Sequence, residues 1–515
     1  MSINTQIQLP DLHPFVGMDL PALLRRVVAD HGDRPFLIWE PFDGEPQRWT
    51  YAEAWRDIRR IAVGLKARGV GPRDAVILHL ENSPESVLAW LACGLIGAVG
   101  VTTNARSAGE ELAYFAHKSG AVGIITQPQF ETLAEENVLV GWRVIVPPGE
   151  GASLIGADGE LPERPSDPAA PFSVQFTSGT TARPKGVIWT HANGLWGSMV
   201  NARHFGLTKD DISYVAFPLF HTVAQAWQTL ASIWVGASIV VQPKFSAGRF
   251  WDVVARNRCT WGTAGSFVRN AIVDQPVPDH HFRFMIAGNE KPAEHNWRAR
   301  GVMGHGMTEL ITQSVFCDTV GPVDEGTMGR PAPEYQLAIR TPEGGPTPIG
   351  ETGELHVKGV RGLSVFAEYL DDPDATAESF TEDGFFRTGD LVQMRPDGAM
   401  MFVSRLKDML KVGGENVAAS EIEAIVRLVP GVEDVAVVGQ PHAMLAETAF
   451  AFVIASPDAP ADLAEQIVAA CRRSLADFKV PRGVRLVDEF PRSLAEKVQK
   501  AKLRELLREM ADGQP

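Results

Sequence analysis

Four hydroxyls, two glycines and one lysine fall within ten residues of this 515-residue chain, in the stretch Thr177-Ser178-Gly179-Thr180-Thr181-Ala182-Arg183-Pro184-Lys185-Gly186. A loop of this kind must find partners for its backbone donors. Its N–H and O–H groups are suited to wrapping anionic oxygens, with Lys185 as a point charge, so phosphate is the natural guest. Polar surface hairpins share this composition and are commoner than nucleotide sites, so composition alone leaves both readings open. Lys185 is followed by Gly186 and Val187 rather than Ser or Thr, which speaks against a Walker loop and hence a P-loop kinase or GTPase.

The stretch follows the alternating run Phe172-Ser173-Val174-Gln175-Phe176 and precedes Val187-Ile188-Trp189, which predicts a turn between two extended segments. The string TSGTTARPKGV resembles the phosphate-binding signature of the adenylate-forming superfamily: acyl-CoA synthetases, luciferases and peptide-synthetase adenylation domains. Further matches follow in the family's order, at Gly304-His305-Gly306-Met307-Thr308-Glu309, at Arg387-Thr388-Gly389-Asp390, at Arg405-Leu406-Lys407-Asp408 and around Lys497. They run from about residue 172 to residue 504. Asp390 alone reads as a turn residue, Arg405 as a surface arginine and Lys497 as a solvated side chain. The ordered set identifies the chain as a member of the superfamily, in its acyl-CoA ligase branch.

The elements that must position these residues read as α/β. The chain is too long for one compact domain, and its 45% hydrophobic content supports a large core. Apolar spacing predicts helices over residues 21–30 and from Thr50, where Thr50 and Glu53 form a capping box. Runs at 75–78, 122–125 and 144–146 alternate with helical segments, as in a parallel sheet. Residues 86–101 read as a buried helix passing into a strand, too short and glycine-rich to span a membrane. Residues 147–170 are a Pro/Gly-rich connection. Residues 190–201 read as a helix, and Tyr214 to Leu219 as a strand ending at Phe220-His221. The segment 357–402 is strand-rich, and a new pattern of helix (419–428) and strands (432–438 and 449–454) follows Ser404. The expected fold is therefore a large N-terminal domain of stacked α/β subdomains with a β-rich subdomain (1–403), and a small mobile α+β lid (404–515).

A net charge of −15 argues against broad contact with nucleic acid or an anionic membrane. Cys93, Cys259, Cys317 and Cys471 lie far apart, without zinc spacing or a disulfide framework, which fits a reducing cytoplasm. Residues 1–20 contain no apolar core of a signal peptide. The segment after Cys471 is basic, with Arg472, Arg473, Lys479, Arg482, Arg485, Arg492, Lys497, Lys500, Lys502 and Arg504. A solvated helix face is the ordinary meaning of such a run, and the resemblance adds a lid facing the three phosphates of coenzyme A. Trp227, Trp234, Trp251 and Trp261 could line an apolar pocket or be ordinary core.

The resemblance also implies roles. Thr177, Ser178, Gly179, Thr180, Thr181 and Lys185 embrace the phosphates of ATP, Gly288, His305, Gly306 and Met307 belong to the nucleotide site, and Thr308 meets the α-phosphate. Glu309 holds Mg2+ through oxygen, as that hard cation prefers. Asp390 accepts the ribose hydroxyls with Arg405 nearby, and Lys497 bridges carboxylate and α-phosphate. His221 lies at the junction of acid and nucleotide. Lys407 matches the hinge about which the lid rotates, and Gly414, lacking a Cβ, leaves room for the pantetheine arm of coenzyme A. The implied substrates are a carboxylic acid, ATP and coenzyme A, and the apolar and aromatic content from Phe220 to Trp234 suggests a hydrophobic acid.

Four features depart from the family pattern on the nucleotide side. Ala182 replaces a glycine, His305 stands where an adenine-stacking aromatic is common, the segment 288–304 is short, and Glu496 puts an anion beside Lys497. They motivate an alternative: thioester formation from an acyl-adenylate (acyl-AMP) supplied by a separate adenylating enzyme. Ser404, for a glycine before Arg405, is a further departure. A carrier-protein charging module, a luciferase-type oxygenase and a catalytically silent adenylate binder are the other readings. The chain ends at Pro515 without a carrier domain, which favours free coenzyme A, and nothing marks oxygen chemistry.

Overall fold

The computed structural model describes residues 2–5, 7–177, 184–286, 297–321, 325–412, 415–442, 445–475, 477–492 and 498–512. The chain divides into two compact units: one of Met1–Gly179, Arg183–Leu337 and Val357–Phe386, the other of Thr180–Ala182, Ala338–His356 and Arg387–Pro515.

Two large sheets build the first unit. One runs in the order Trp142–Ile145, Gly123–Thr126, Ala75–His79, Val99–Thr103, Pro171–Thr177 and Lys185–Thr190. Every neighbouring pair is parallel except the last, which is antiparallel and sets Thr177 opposite Lys185. Ala75–His79 and Val99–Thr103 are buried at every position, as parallel strands covered on both faces must be. The helix Pro84–Leu95 supplies part of that cover and is almost wholly buried. Ser83 caps it, with a proline in its first turn where no N–H is needed.

The second sheet runs Arg300–Val302, Phe284–Ile286, Trp261–Thr263, Ile212–Val215, Ser238–Val241, Pro35–Trp39 and Gln47–Thr50. Only its Pro35–Trp39 and Gln47–Thr50 pair is antiparallel. The helices Leu20–His31 and Tyr51–Ala67 form as expected, the second with its Thr50/Glu53 capping box in place. The helix His191–His204 is capped by Thr190 and Asn193 in the same way. A small antiparallel sheet of Gly304–Gly306, Gln313–Phe316 and Arg330–Pro331 completes the unit's strands among the described residues outside the shared sheet below.

The second unit contains a five-stranded sheet of Glu415–Ala418, Met409–Val412, Ala446–Ala455 and Val432–His442, with Gly483–Leu486 parallel to Ala446–Ala455. The helices Ala419–Val426 and Leu463–Ser474 bury Ile422, Val426, Leu463 and Ile467 in a core with Val435, Val437 and Val453. Leu503 and Leu507 of the helix Lys500–Asp512 join Ala436, Val438 and Phe452 in another. A four-stranded sheet, Gln336–Arg340, Thr352–Lys358, Phe386–Met394 and Met400–Arg405, has most of its residues in this unit.

One sequence expectation needs correcting. The strand expected to reach Leu219 stops at Val215, and residues 216–221 turn instead. Leu219 is apolar because it packs into the core rather than because it continues the strand, and Pro218 has no N–H to give a ladder.

Candidate active site

In the first unit, the strand pair delivers Thr177 and Lys185 to the two sides of the phosphate-loop stretch, with Thr177 Oγ1 3.4 Å from the Lys185 carbonyl. Ser178, Gly179, Thr180, Thr181 and Ala182 lie outside the described residues. The Lys185 ammonium sits over the Tyr369 ring, 4.7 Å from its centre. The Tyr369 hydroxyl donates to Glu309 Oε1 at 2.9 Å. Glu309 is 5% exposed and Tyr369 7%. Burial, and then the adjoining Glu309 carboxylate, push the Tyr369 phenol far above its ordinary range, so it stays protonated and can donate.

Thr308 is fixed from two sides. Trp189 Nε1 donates to its carbonyl at 2.8 Å, and its hydroxyl lies 3.2 Å from Thr222 Oγ1. Thr222 is next to His221 and continues into a buried polar chain. Its Oγ1 is 3.1 Å from Gln175 Oε1, Gln175 Nε2 donates to Gln225 Oε1, and Gln225 Nε2 donates to Thr102 Oγ1 at 3.1 Å. Gln225 belongs to a π-helix, Val223–Leu230, a form that recurs at functional sites. Asn82 pins the corner before His221, donating to the Phe217 carbonyl at 2.9 Å and accepting from the Leu219 N–H at 2.7 Å. The His221 carbonyl accepts from the Gln225 N–H at 3.0 Å, which ties the His221 backbone to the helix carrying Gln225.

The loop carrying Thr308 and Glu309 is tied down by Tyr335, whose hydroxyl reaches the carbonyls of Leu310 (2.9 Å) and Ser364 (3.0 Å). Gly306 and Met307 precede it. A Cβ on Gly306 would lie 2.5 Å from Trp227 Cζ2, so the residue must be glycine for the loop to pass that ring. Trp227, Trp251 and Trp261 are core side chains, 6%, 5% and 0% exposed. His305 is buried on the strand Gly304–Gly306, its Nδ1 2.8 Å from Ser314 Oγ. Gly288 and most of the short 288–304 segment lie outside the described residues.

In the second unit, Asp390 and Arg405 face each other across antiparallel strands, with Arg405 Nε 2.5 Å from Asp390 Oδ1. Asp390 is 1% exposed. Its N–H donates to Thr388 Oγ1, and Thr388 in turn donates to the Leu355 carbonyl at 2.6 Å. Gly389 between them has φ +68°, a conformation that favours glycine. Leu406, Lys407 and Asp408 form a single 3-10 turn, and the Lys407 side chain is outside the described residues, as are Gly414, Glu496 and Lys497. Four of the ten basic residues in the run are paired locally. Lys479 pairs with Glu421, Arg492 with Asp434, Lys500 with Glu423 and Arg504 with Asp408.

The chain matches the AMP-binding enzyme family model over residues 24–370 and the AMP-binding enzyme C-terminal domain over residues 421–497. The chain belongs to the AMP-binding enzyme family. Among curated relatives, it is 31% identical over 521 residues to a crotonobetaine/carnitine–CoA ligase of Salmonella paratyphi A, covering 95% of this chain and 99% of the relative. Among solved structures, it resembles ATP-bound MatB from Rhodopseudomonas palustris (27% identity, TM-score 0.85, 96% of this chain and 100% of that one). It also resembles o-succinylbenzoate CoA synthetase from Bacillus subtilis with its acyl-adenylate (25% identity, TM-score 0.83, 94% and 97%). This AMP-binding enzyme is an AMP-forming acyl-CoA ligase that uses ATP, coenzyme A and Mg2+.

The donor set fits Mg2+. Among the described residues no cluster of three His, Cys, Asp or Glu could cage a metal, and Glu309 offers a single buried, oriented carboxylate. Mg2+ commonly takes one or two carboxylates and completes its shell with water and substrate phosphates. No helix among the described residues is long and apolar enough to cross a membrane.

Sequence reasoning missed Tyr369, Tyr335, Thr222, Gln175 and Gln225. Thr222 had one signal, its place beside His221. The others fall in ordinary strand, loop or helix text.

Proposed function

We propose that this AMP-binding enzyme carries out both half-reactions on a hydrophobic carboxylic acid. A carboxylate oxygen attacks the α-phosphorus of ATP and pyrophosphate leaves. The thiol sulfur of coenzyme A then attacks the acyl carbonyl, losing its proton, and the C–O bond to AMP breaks. Thr308 and the hydroxyls flanking Lys185 hold phosphoryl oxygens, where transition-state charge develops. Mg2+, when bound at Glu309, neutralises phosphate charge. Asp390 accepts the ribose hydroxyls, and Lys497 serves the first step. Rotation about Lys407 withdraws Lys497 and brings up Gly414 for the second. Residues 1–403 carry the acyl and nucleotide sites in this scheme and residues 404–515 the lid.

The observation that carries the reading is the Lys185–Tyr369–Glu309 cluster beside Thr308. A buried carboxylate is costly unless it is partnered, and this one is partnered and oriented by the Tyr369 hydroxyl. Phe217 and Phe220 flank His221, with ring centres 6.4 and 4.9 Å from the imidazole, which favours an apolar acid. All four cysteines are buried and free, as suits a cytoplasmic enzyme. Incubation with acid and MgATP should release pyrophosphate, and coenzyme A should then give thioester and AMP.

One observation favours a second reading. The His305 ring is buried against Ser314 rather than offered as a stacking surface, which, with Ala182 and Glu496, supports loss of adenylation. On that reading pyrophosphate release is absent, while synthetic acyl-adenylate and coenzyme A still give thioester.

A further inference from the structure

We propose that Tyr369 is a positioning residue for the metal–nucleotide complex, one ring holding both the phosphate lysine and the metal carboxylate. This rests on the adenylating reading above. The segment around Tyr369 lies along the strand of Lys185. Ala367 N–H donates to the Ile188 carbonyl at 3.0 Å, Ile188 N–H to Glu368 at 3.1 Å and Leu370 N–H to Gly186 at 2.7 Å. At its other side the Phe366 N–H donates to the Glu309 carbonyl at 2.7 Å. One short segment is thus bonded to both the strand of the cation and the loop of the anion.

The side chain repeats the arrangement. The edge of the Tyr369 ring carries a hydroxyl donating to Glu309 Oε1, and its face receives the Lys185 ammonium. The ring has little freedom to move. Its centre is 4.8 Å from that of Phe366, and the Tyr369 N–H donates to Thr376 Oγ1 at 3.0 Å. A cation held over a ring stays available to phosphate, because a ring face contributes attraction without a competing charge. Groups that orient a metal's ligand in this way typically govern affinity as strongly as many ligands do.

The test separates the two ends of the ring. Tyr369→Phe keeps the face and removes the hydroxyl, whereas Tyr369→Leu removes both. Mn2+ binding, read by electron paramagnetic resonance in the presence of α,β-methylene-ATP, should weaken about 10- to 100-fold in Tyr369→Phe. Binding of the metal-free analogue should change little in Tyr369→Phe and fall in Tyr369→Leu. Pyrophosphate release should fall far more than thioester formation from supplied acyl-adenylate, and raising Mg2+ should restore it in Tyr369→Phe alone. Wild-type Mn2+ affinity in Tyr369→Phe, or equal losses in both half-reactions, would overturn the inference and leave the adenylating reading standing. A wild-type enzyme that binds no Mn2+–nucleotide would overturn both.

Discussion

Gly306→Ala is the sharpest perturbation the structure offers, because the new methyl has nowhere to go. Its Cβ would lie 2.5 Å from Trp227 Cζ2 and 2.9 Å from the Thr312 carbonyl oxygen. The indole cannot retreat freely, since it is 6% exposed and its Nε1 donates to the Ile311 carbonyl at 3.1 Å. Overpacking of this kind costs about 1–3 kcal/mol, and a lost indole hydrogen bond adds about 1 kcal/mol. The first unit should therefore lose about 2–4 kcal/mol of stability. The chain's 12 tryptophans all lie between Trp39 and Trp297, inside that unit, so urea unfolding followed by tryptophan emission reports on it alone. Trp227→Leu opens the space the methyl needs, and the double variant should be less destabilised than the sum of the singles by about 1–2 kcal/mol. ATP affinity should fall in Gly306→Ala, because Met307, Thr308 and Glu309 follow directly. A Gly306→Ala unfolding midpoint equal to wild type, or strict additivity with Trp227→Leu, would refute the reasoning.

Asp390→Asn removes the charged half of the bond to Arg405 and should cost the second unit about 1.5–3 kcal/mol, read as faster amide exchange in the strands Phe386–Met394 and Met400–Arg405. Arg405→Lys should not substitute for arginine there, since the bond is made by the guanidinium Nε. Burial lowers the His79 imidazole from 6.5 to about 4, so the folded state binds fewer protons than the unfolded one between those values. The stability this represents is present above pH 6.5 and lost as pH falls toward 4, with about 2 kcal/mol gone by pH 5. His79→Gln should show a shallower loss of urea midpoint from pH 7.5 to pH 5, though His191, buried and also lowered by burial, keeps some slope. Burial pushes the Cys93 thiol up to about 12 and raises Cys259 and Cys471, so the native enzyme should react slowly with a thiol reagent and yield four thiols only on unfolding.

What could be read from sequence divides along a physical line. Phosphate demands particular residue types, and Thr177 and Lys185 stand in a short hydroxyl- and glycine-rich span that suggests it, whereas Thr308, Glu309 and Asp390 enter only through the family resemblance. The groups that hold them carry no such signal. Tyr369 acts on Glu309 across 60 residues, and Gln225 acts on Thr102 across 123. Nothing in Glu368-Tyr369-Leu370 differs from an ordinary apolar strand until the strand beside it is known. Periodicity found most strands and helices because burial imposes it locally. It overran at Ala216 to Leu219, where apolar residues are buried by packing rather than by pairing.

The basic C-terminal run shows the same limit from the side of charge. Composition cannot distinguish a cation awaiting phosphate from one already matched, and Lys479, Arg492, Lys500 and Arg504 are matched within their own unit. Lys500 is the clearest case, 2.6 Å from Glu423, whose carboxylate also accepts from the Val437 N–H and pairs with Arg427 at 3.6 Å, so the pair ties helix to sheet. Any role in binding coenzyme A would first have to break such a bond, and a half-buried pair resists that more than a surface one.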